Sequence, residues 1–271
     1  MRSNRNHMID VDQRITSLDR TLFDAVPSQT YPEDRSSLLI LQRCVRRSGN
    51  YVYLEIGSHL GGTLQPHLLD DRCTLIYSID KRPLQQADES GGVRYYPENS
   101  TQRMLAGLQK AFPQSSTDKI RTFDSDAQEL DPEAFVPRPD FCFIDGEHTD
   151  SAVFSDFVSC LRVCNPDGVV GFHDANVILG GLAQIKRHLR ERGICFQGFL
   201  LPKHVYVILL NDAIESYGEE IRQAAIDETT YMRTASWGLF KTRMSRRYPT
   251  LQKVWHLYRR LTAGARRRLT L

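Results

Sequence analysis

The hydrophobic residues of this chain follow two alternating spacings. Compact runs rich in Val, Ile, Leu, Tyr and Phe are typical of buried strands, and several segments between them repeat apolar residues every three or four positions, as amphipathic helices do. Strands are predicted at 51–57, 74–80, 119–126, 140–148, 168–174, 195–201 and 204–210. Helices are predicted at 36–47, 100–112, 151–164 and 181–193.

Alternation of strands and helices predicts a parallel sheet covered by helices on both faces. The last two strands are separated only by Pro202 and Lys203, which is too short for a helical crossover, so they should pair antiparallel. We therefore expect an α/β fold with a doubly wound, mostly parallel seven-stranded sheet and an antiparallel final strand. The predicted organisation is a helical N-terminal lead-in at 1–35, a catalytic domain at 36–211 and a basic helical extension at 212–271.

Composition narrows the class of protein. The chain has 271 residues, of which 41% are hydrophobic and 25% charged, as in ordinary soluble globular proteins. No apolar run approaches the roughly 20 residues that span a bilayer, and the first segment lacks the apolar centre of a signal peptide. The six cysteines include no CxxC pair, which favours reduced thiols. We expect a cytoplasmic protein.

Charge is unevenly distributed along the chain. The net charge is +2, yet residues 241–271 hold ten Lys and Arg and no acid, so the rest carries 2 − 10 = −8. Within 251–261 the apolar residues share one helical face, which fits a basic helix resting on an anionic membrane surface, or one packed on the catalytic domain or on a second subunit in a homo-oligomer. A solvated face is an equally good interpretation. Nucleic acid is disfavoured because the aromatic and basic residues follow helical spacing instead of forming a stacking platform.

The first predicted strand ends on an acid and a glycine-rich turn, "YVYLEIGSHLGGTL". In doubly wound folds ligands bind at the carboxyl ends of the strands, and glycines there allow a ligand to approach the backbone. The GxGxxG spacing of dinucleotide sites is absent, and Glu55 before Gly57 suits a ligand with an ammonium or sulfonium charge.

Four motifs in order give the chain a family resemblance. The segments "LEIGSHLGGT", "IYSID", "FIDGEHTDSAVFSDF" and "NPDGVVGFHDAN" resemble those of class I S-adenosylmethionine-dependent methyltransferases. Within that class the chain is most similar to the metal-dependent macrolide-sugar and catechol-type O-methyltransferases, over roughly residues 36–210.

The resemblance implies a binding site for S-adenosylmethionine. Its methionine end would lie against Glu55, Gly57 and Ser58, and the next helix would open with Gly61, Gly62 and Thr63. Asp80 would accept hydrogen bonds from the ribose hydroxyls, and Ser125 and Asp126 would lie near the adenine. Asp80 also fits a cap or turn residue, and Ser125 and Asp126 fit a plain turn.

A second set of polar residues follows two later strands. Asp145 ends one strand, and His173 and Asp174 end the next, so these side chains should converge on one cation. Carboxylates suit Mg²⁺. His173 stands where the macrolide-sugar branch carries an acid, and an imidazole there admits Mn²⁺, Fe²⁺ or Zn²⁺, or else only a hydrogen bond to Asp174. A two-histidine, one-carboxylate iron site is less favoured because it leaves the glycine motif unexplained.

The resemblance assigns His148, three residues after Asp145, as the general base; the alternative is a capping or surface histidine. We interpret the chain as an O-methyltransferase, assisted by Mg²⁺ or another divalent metal, that methylates a hydroxyl of a sugar or small natural product. The alternatives are a metal-independent methyltransferase and a non-catalytic cofactor-binding protein that acts through its basic tail. The remaining polar residues receive plain interpretations: His67, His188 and His204 as surface residues and Asp156 as a solvated acid.

Overall fold

A computed structural model describes residues 11–248. Its strands are β1 (Tyr51–Ile56), β2 (Cys73–Ile79), β3 (Gln85–Ala87), β4 (Val93–Tyr95), β5 (Ile120–Phe123), β6 (Phe141–Ile144), β7 (Val169–Phe172), β8 (Phe196–Leu200) and β9 (Tyr206–Leu210). Its helices are α1 (11–16), α2 (Pro32–Arg47), α3 (Gln65–Leu69), α4 (Thr101–Ala111), α5 (Asp150–Val163), α6 (Leu179–Glu191), α7 (Ala213–Ala224) and α8 (Glu228–Arg247). Short 3₁₀ turns occupy Arg20–Phe23, Thr117–Lys119, Ala127–Glu129 and Pro132–Ala134.

The predicted sheet is confirmed. Seven strands lie in the order β5-β2-β1-β6-β7-β9-β8, and neighbours pair parallel except around β9, which runs antiparallel to β7 and to β8. The final strand of the chain is thus the antiparallel one, as its short connection requires. Because the other strands point the same way, their carboxyl ends meet at one edge of the sheet.

Each face of the sheet has its own hydrophobic core. Along β1, Tyr51 and Tyr53 face the layer that contains α2, α3, α4 and α7, whereas Leu54 and Ile56 face α5 and α6. This period-two alternation places helices on both faces, which is why the inner strands β1, β6, β7 and β9 are buried along their whole length.

The N-terminal lead-in is tied to the glycine-rich turn by Gln65. Its side-chain amide donates to the carbonyls of Phe23, Val26 and Gly62 at 2.7–2.9 Å, and its Oε1 accepts from the Val26 backbone N–H at 2.8 Å. Gln65 is fully buried, so these bonds hold in a water-free environment and fix the lead-in beside the carboxyl edge.

Some expectations need correction. Helix α2 begins at Pro32, four residues before the predicted start at 36, because a proline suits the first helical turn. His67 is buried and stacks on Tyr53 with 3.7 Å between ring centroids, so its surface assignment is wrong. Asp156 was expected in solvent, but it is buried, and burial raises its pKa to about 7.

The C-terminal part of the described chain is helical. Helix α8 buries none of its residues and reaches the β3–β4 hairpin, where the Arg243 guanidinium donates to the Glu89 carbonyl at 2.6 Å. The predicted amphipathic helix at 251–261 lies outside the described residues. Within residues 11–248 no helix has both the length and the apolar character needed to cross a membrane.

Candidate active site

A polar cavity of about 260 Å³ opens at the carboxyl edge of the sheet. Its floor is formed by the turn after β1 and by the residues that follow β2, β6 and β7; the lead-in at 27–31 and the β3–β4 hairpin form its walls. A smaller cavity of about 50 Å³ lies beside it and shares Gly57, Asp80 and Gln86 with it.

The glycines after β1 make room first for protein backbone. Gly57 has a φ of +92°, and a Cβ there would lie 2.1 Å from the Asp145 carbonyl oxygen, so only glycine lets the ends of β1 and β6 come this close. A Cβ on Gly62 would lie 2.5 Å from the Pro27 carbonyl oxygen. Gly57 and Gly62 also line the cavity, whereas Gly61 packs towards Leu108.

Glu55 is completely buried, and neither of its oxygens is free. One accepts from the Tyr53 hydroxyl at 2.6 Å and the other from the Thr63 hydroxyl at 2.5 Å. Burial raises the pKa of Glu55 to about 8, an effect that the hydrogen bonds only partly offset. Thr63 and Ser58 line the cavity wall, and Glu55 supports that wall from behind.

Asp80 borders both cavities and shapes the loops around them. Its oxygens accept from the backbone N–H groups of His59 at 2.8 Å and of Arg82 at 2.7 Å. A carboxylate oxygen can accept more than one hydrogen bond, so capacity for a ligand hydroxyl is left. Ser125 and Asp126 line the smaller cavity, where Asp126 also accepts from the Gln128 N–H at 3.1 Å. Asp126 is therefore a turn residue that also lines the smaller cavity.

The structure brings the predicted catalytic and metal residues together. Oδ1 of Asp145 lies 3.1 Å from Nε2 of His148 and 3.0 Å from Nδ1 of His173. The other ring nitrogen of His148 lies 3.3 Å from Oδ2 of Asp174. All four side chains are largely buried, since β6 and β7 are neighbours and end at the same level.

Two further residues contact this cluster. Nε2 of His173 lies 3.3 Å from Oδ2 of Asp34, and the Arg94 guanidinium lies 3.0 Å from Oδ2 of Asp174. Burial opposes charge on His173, but Asp145 and Asp34 outweigh it and raise the pKa of His173 well above its ordinary value. Burial likewise opposes ionisation of Asp145, yet the two histidines hold the pKa of Asp145 well below its usual range.

The sequence matches a known domain family over this same region. Residues 54–175 fit the family model described as a methyltransferase domain, and every predicted site residue lies inside that range. Residues 54–175 form a methyltransferase domain. The family match and the observed strand order agree with the predicted class I methyltransferase fold, and they support the prediction that the chain is an enzyme. No curated protein matches the sequence.

Solved structures with a similar fold include three methyltransferases. The O-methyltransferase NovP is 13% identical over 64% of this chain and 78% of its own, with a TM-score of 0.49. MycE of the mycinamycin biosynthetic pathway, in complex with Mg and SAH, is 14% identical over 73% of this chain and 54% of its own, with a TM-score of 0.48. The calicheamicin methyltransferase CalS11 is 13% identical over 74% of this chain and 91% of its own, with a TM-score of 0.46. These values are too low to transfer a substrate, a metal or a residue role to this chain.

The methyltransferase domain offers donors that fit a divalent ion. Asp145, His148 and His173 each present one ligand atom, and these atoms lie within 4.8 Å of one another. Oδ1 of Asn176, at the cavity wall, is buried and has no hydrogen-bond partner among the described residues. Oxygen and imidazole donors around one point suit a divalent cation.

Sequence reasoning missed several residues of this site. Asp34 lies before the predicted start of its helix at 36, so nothing marked it as a site residue, and Arg94 lies in a hairpin too short to show a period. His204 was assigned to the surface, but it is half-buried and lines the cavity.

Proposed function

We propose that the chain is an S-adenosylmethionine-dependent O-methyltransferase, assisted by a divalent metal, that acts on a hydroxyl of a sugar or a small natural product. The observation that carries the proposal is the convergence of Asp145, His148 and Asp174 on one cavity wall, opposite Ser58 and Asp80. The family match supports methyl transfer, and the cavity supports a small polar acceptor.

The donor would lie along the glycine turn. Its methionine part would rest on Ser58 and Thr63, its ribose on Asp80, and its adenine in the smaller cavity with Ser125 and Asp126. Glu55 is buried behind Ser58 and Thr63 and does not itself line the cavity. A sulfonium that loses its charge during reaction is best served by a site that does not over-stabilise that charge.

His148 is placed to take the acceptor's proton. Nδ1 of His148 lies 3.3 Å from Oδ2 of Asp174, so Asp174 would orient the ring, and Nε2, which lies 3.1 Å from Oδ1 of Asp145, would accept the proton. The acceptor oxygen forms a bond to the methyl carbon, the carbon–sulfur bond breaks with its electron pair on sulfur, and the hydroxyl proton passes to His148. A divalent ion held by Asp145, His173 and Asp174 would lower the pKa of the hydroxyl and fix its direction of approach.

The acceptor side of the cavity is rich in uncharged hydrogen-bonding groups. Ser28, Gln29 and Thr30 of the lead-in and Gln86 of the hairpin line the cavity, and so does Tyr31, which is half exposed. Such a surface matches a hydroxyl-rich ligand with one apolar face, as a sugar has.

A metal-independent reaction is the second candidate. Arg94 already contacts Asp174, and His173 already contacts Asp145, so both acids have a basic side chain beside them. An assay of methyl transfer after treatment with EDTA distinguishes the two candidate reactions. A metal-assisted enzyme loses turnover and regains it when Mn²⁺ or Mg²⁺ is added back. A metal-independent enzyme keeps its rate.

The role of His148 is tested by His148→Ala with His188→Ala as the control, because His188 lies on α6 away from the cavity. We expect methyl transfer to fall by roughly 10²–10⁴ in His148→Ala, the usual contribution of a general base. Binding of S-adenosylhomocysteine should be retained in both variants. Full activity in His148→Ala would refute the assignment.

A further inference from the structure

His173 is held from both sides by carboxylates that come from distant parts of the chain. Nδ1 lies 3.0 Å from Asp145, and Nε2 lies 3.3 Å from Asp34, which is 139 residues away in sequence. The ring is buried, so neither nitrogen has water as an alternative partner. Its orientation is therefore fixed by these two contacts.

Asp34 cannot turn away from this contact. It is fully buried in the first turn of α2, where Oδ1 accepts from the His204 N–H at 2.9 Å and Oδ2 accepts from the Tyr31 N–H at 3.0 Å. These two backbone donors hold the Asp34 carboxylate in place, with Oδ2 beside Nε2 of His173. With an ion bound, the ring proton would stay on Nε2, towards Asp34, and Nδ1 would be left to bind the ion beside Asp145.

The 3.0 Å between Nδ1 of His173 and Oδ1 of Asp145 is a hydrogen-bond distance, and it also suits two neighbouring ligands of one ion. Neighbouring ligands of an octahedral ion bound at about 2.1 Å lie about 3.0 Å apart. Histidine ligands in proteins commonly donate their other N–H to a carboxylate, which fixes the tautomer and strengthens the metal bond. The Asp34–His173–Asp145 line has this arrangement, with Asp34 in the outer position.

We propose that His173 makes this a nitrogen-containing metal site that prefers Mn²⁺, Fe²⁺ or Zn²⁺ to Mg²⁺, and that Asp34 is the positioning residue for His173. The inference rests on the proposed function in one respect: it concerns the same metal site and states which ion that site prefers. Mg²⁺ favours oxygen ligands, while imidazole favours the later divalent ions, so a histidine at this position changes the preference. It also makes the N-terminal lead-in part of the metal site.

The first test measures metal binding without any assay of turnover. The full chain, stripped with EDTA and dialysed, is titrated calorimetrically with MnCl₂ and with MgCl₂. We expect at least tenfold tighter binding of Mn²⁺, and a roughly 10–100-fold loss of Mn²⁺ affinity in Asp34→Asn. Glu33→Gln is the matched control, because it removes the same charge from the same turn of α2 at an exposed position, and it should bind Mn²⁺ like the wild type.

The second test identifies the ligand atom and does not depend on Asp34→Asn folding. Pulsed electron paramagnetic resonance of the Mn²⁺-loaded protein should show modulation from a coordinated nitrogen, which persists in His148→Ala and disappears in His173→Asp. His173→Asp should also bring the affinities for Mg²⁺ and Mn²⁺ closer together.

Equal or tighter binding of Mg²⁺ by the wild type, equal losses in Asp34→Asn and Glu33→Gln, or the absence of metal binding would each overturn the inference. Binding as expected in a protein that transfers no methyl group to hydroxylated acceptors would instead refute the proposed function and leave this inference standing.

Discussion

At the scale of single residues, the site is governed by which buried groups can carry charge. Asp145 keeps its negative charge because His148 and His173 both lie near one of its oxygens. Glu55 lies in the same region but meets only hydroxyl groups, and burial makes its ionisation costly. Glu55 and Asp145, on the adjacent strands β1 and β6, thus differ in charge because hydroxyl groups surround the first and histidines the second.

Glu55 predicts a specific dependence of stability on pH. Its pKa is about 8 in the folded chain and near 4.5 in the unfolded chain, so between these values the folded chain holds a proton that the unfolded chain has released. The free energy of unfolding should therefore fall as pH rises through this window, by up to about 1.4 kcal/mol per pH unit from this group.

The comparison variant is Glu55→Gln, which keeps the shape and cannot ionise. We expect the wild type to lose stability relative to Glu55→Gln between about pH 5 and about pH 8, and to follow it in parallel above that. Urea unfolding in EDTA at several pH values measures the difference. A constant difference across the range would show that Glu55 is ionised in the fold.

At the scale of elements, the site depends on how the lead-in rests against the glycine turn. Gln65 holds the backbone of Phe23 and Val26, and Gly62 leaves no space between the turn and Pro27. The same lead-in supplies Asp34 and one wall of the cavity. Packing of this segment should therefore influence both stability and ligand binding.

Gly62→Ala tests this packing, with Gly107→Ala as the control. A methyl group at 62 would meet the Pro27 carbonyl oxygen at 2.5 Å, so we expect a loss of about 1–3 kcal/mol and faster amide exchange in the lead-in. Gly107 lies inside α4 with open space at its Cβ position, so alanine there should stabilise by about 0.5–1 kcal/mol. Thermal unfolding and hydrogen exchange provide the readouts. Equal behaviour of the two variants would contradict the close contact.

The elements also show what the sequence could reveal. The seven sheet strands were predictable because each is a compact apolar run, and the antiparallel final strand followed from a connection of two residues. The β3–β4 hairpin was not predictable from the sequence. Its two strands have only three residues each and expose alternate side chains, so they show no clear hydrophobic period. Asp34 was missed for another reason: its partners His173 and His204 lie 139 and 170 residues away, and no local pattern reports such contacts.

At the scale of the whole molecule, charge divides the chain into an acidic part and a basic end. The net charge is −8 for residues 1–240 and +10 for residues 241–271. The described end of α8 places Arg243 beside Glu89 of the hairpin, so some of this charge is used within the fold. For the basic segment beyond residue 248, the sequence leaves an anionic surface, the catalytic domain or a second subunit as candidate partners.

Sedimentation with lipid vesicles tests whether the partner of the basic end is an anionic membrane surface or protein. If the basic end contacts an anionic membrane surface, the full chain should sediment with vesicles that contain phosphatidylserine and not with neutral phosphatidylcholine vesicles. Binding should weaken strongly as salt rises from about 0.1 M to about 1 M, since the screening length falls from about 10 Å to about 3 Å. No binding to either vesicle would favour packing within the protein or between subunits.

The central claim is that the cavity between the glycine turn and the ends of β6 and β7 binds the methyl donor. Calorimetric titration of the full chain with S-adenosylhomocysteine tests it most directly, with Asp80→Ala and His148→Ala measured alongside. The account predicts one molecule bound per chain, at least tenfold weaker binding in Asp80→Ala and unchanged binding in His148→Ala. A wild-type protein that binds no S-adenosylhomocysteine at millimolar concentration, or binds it equally well without Asp80, would contradict the claim.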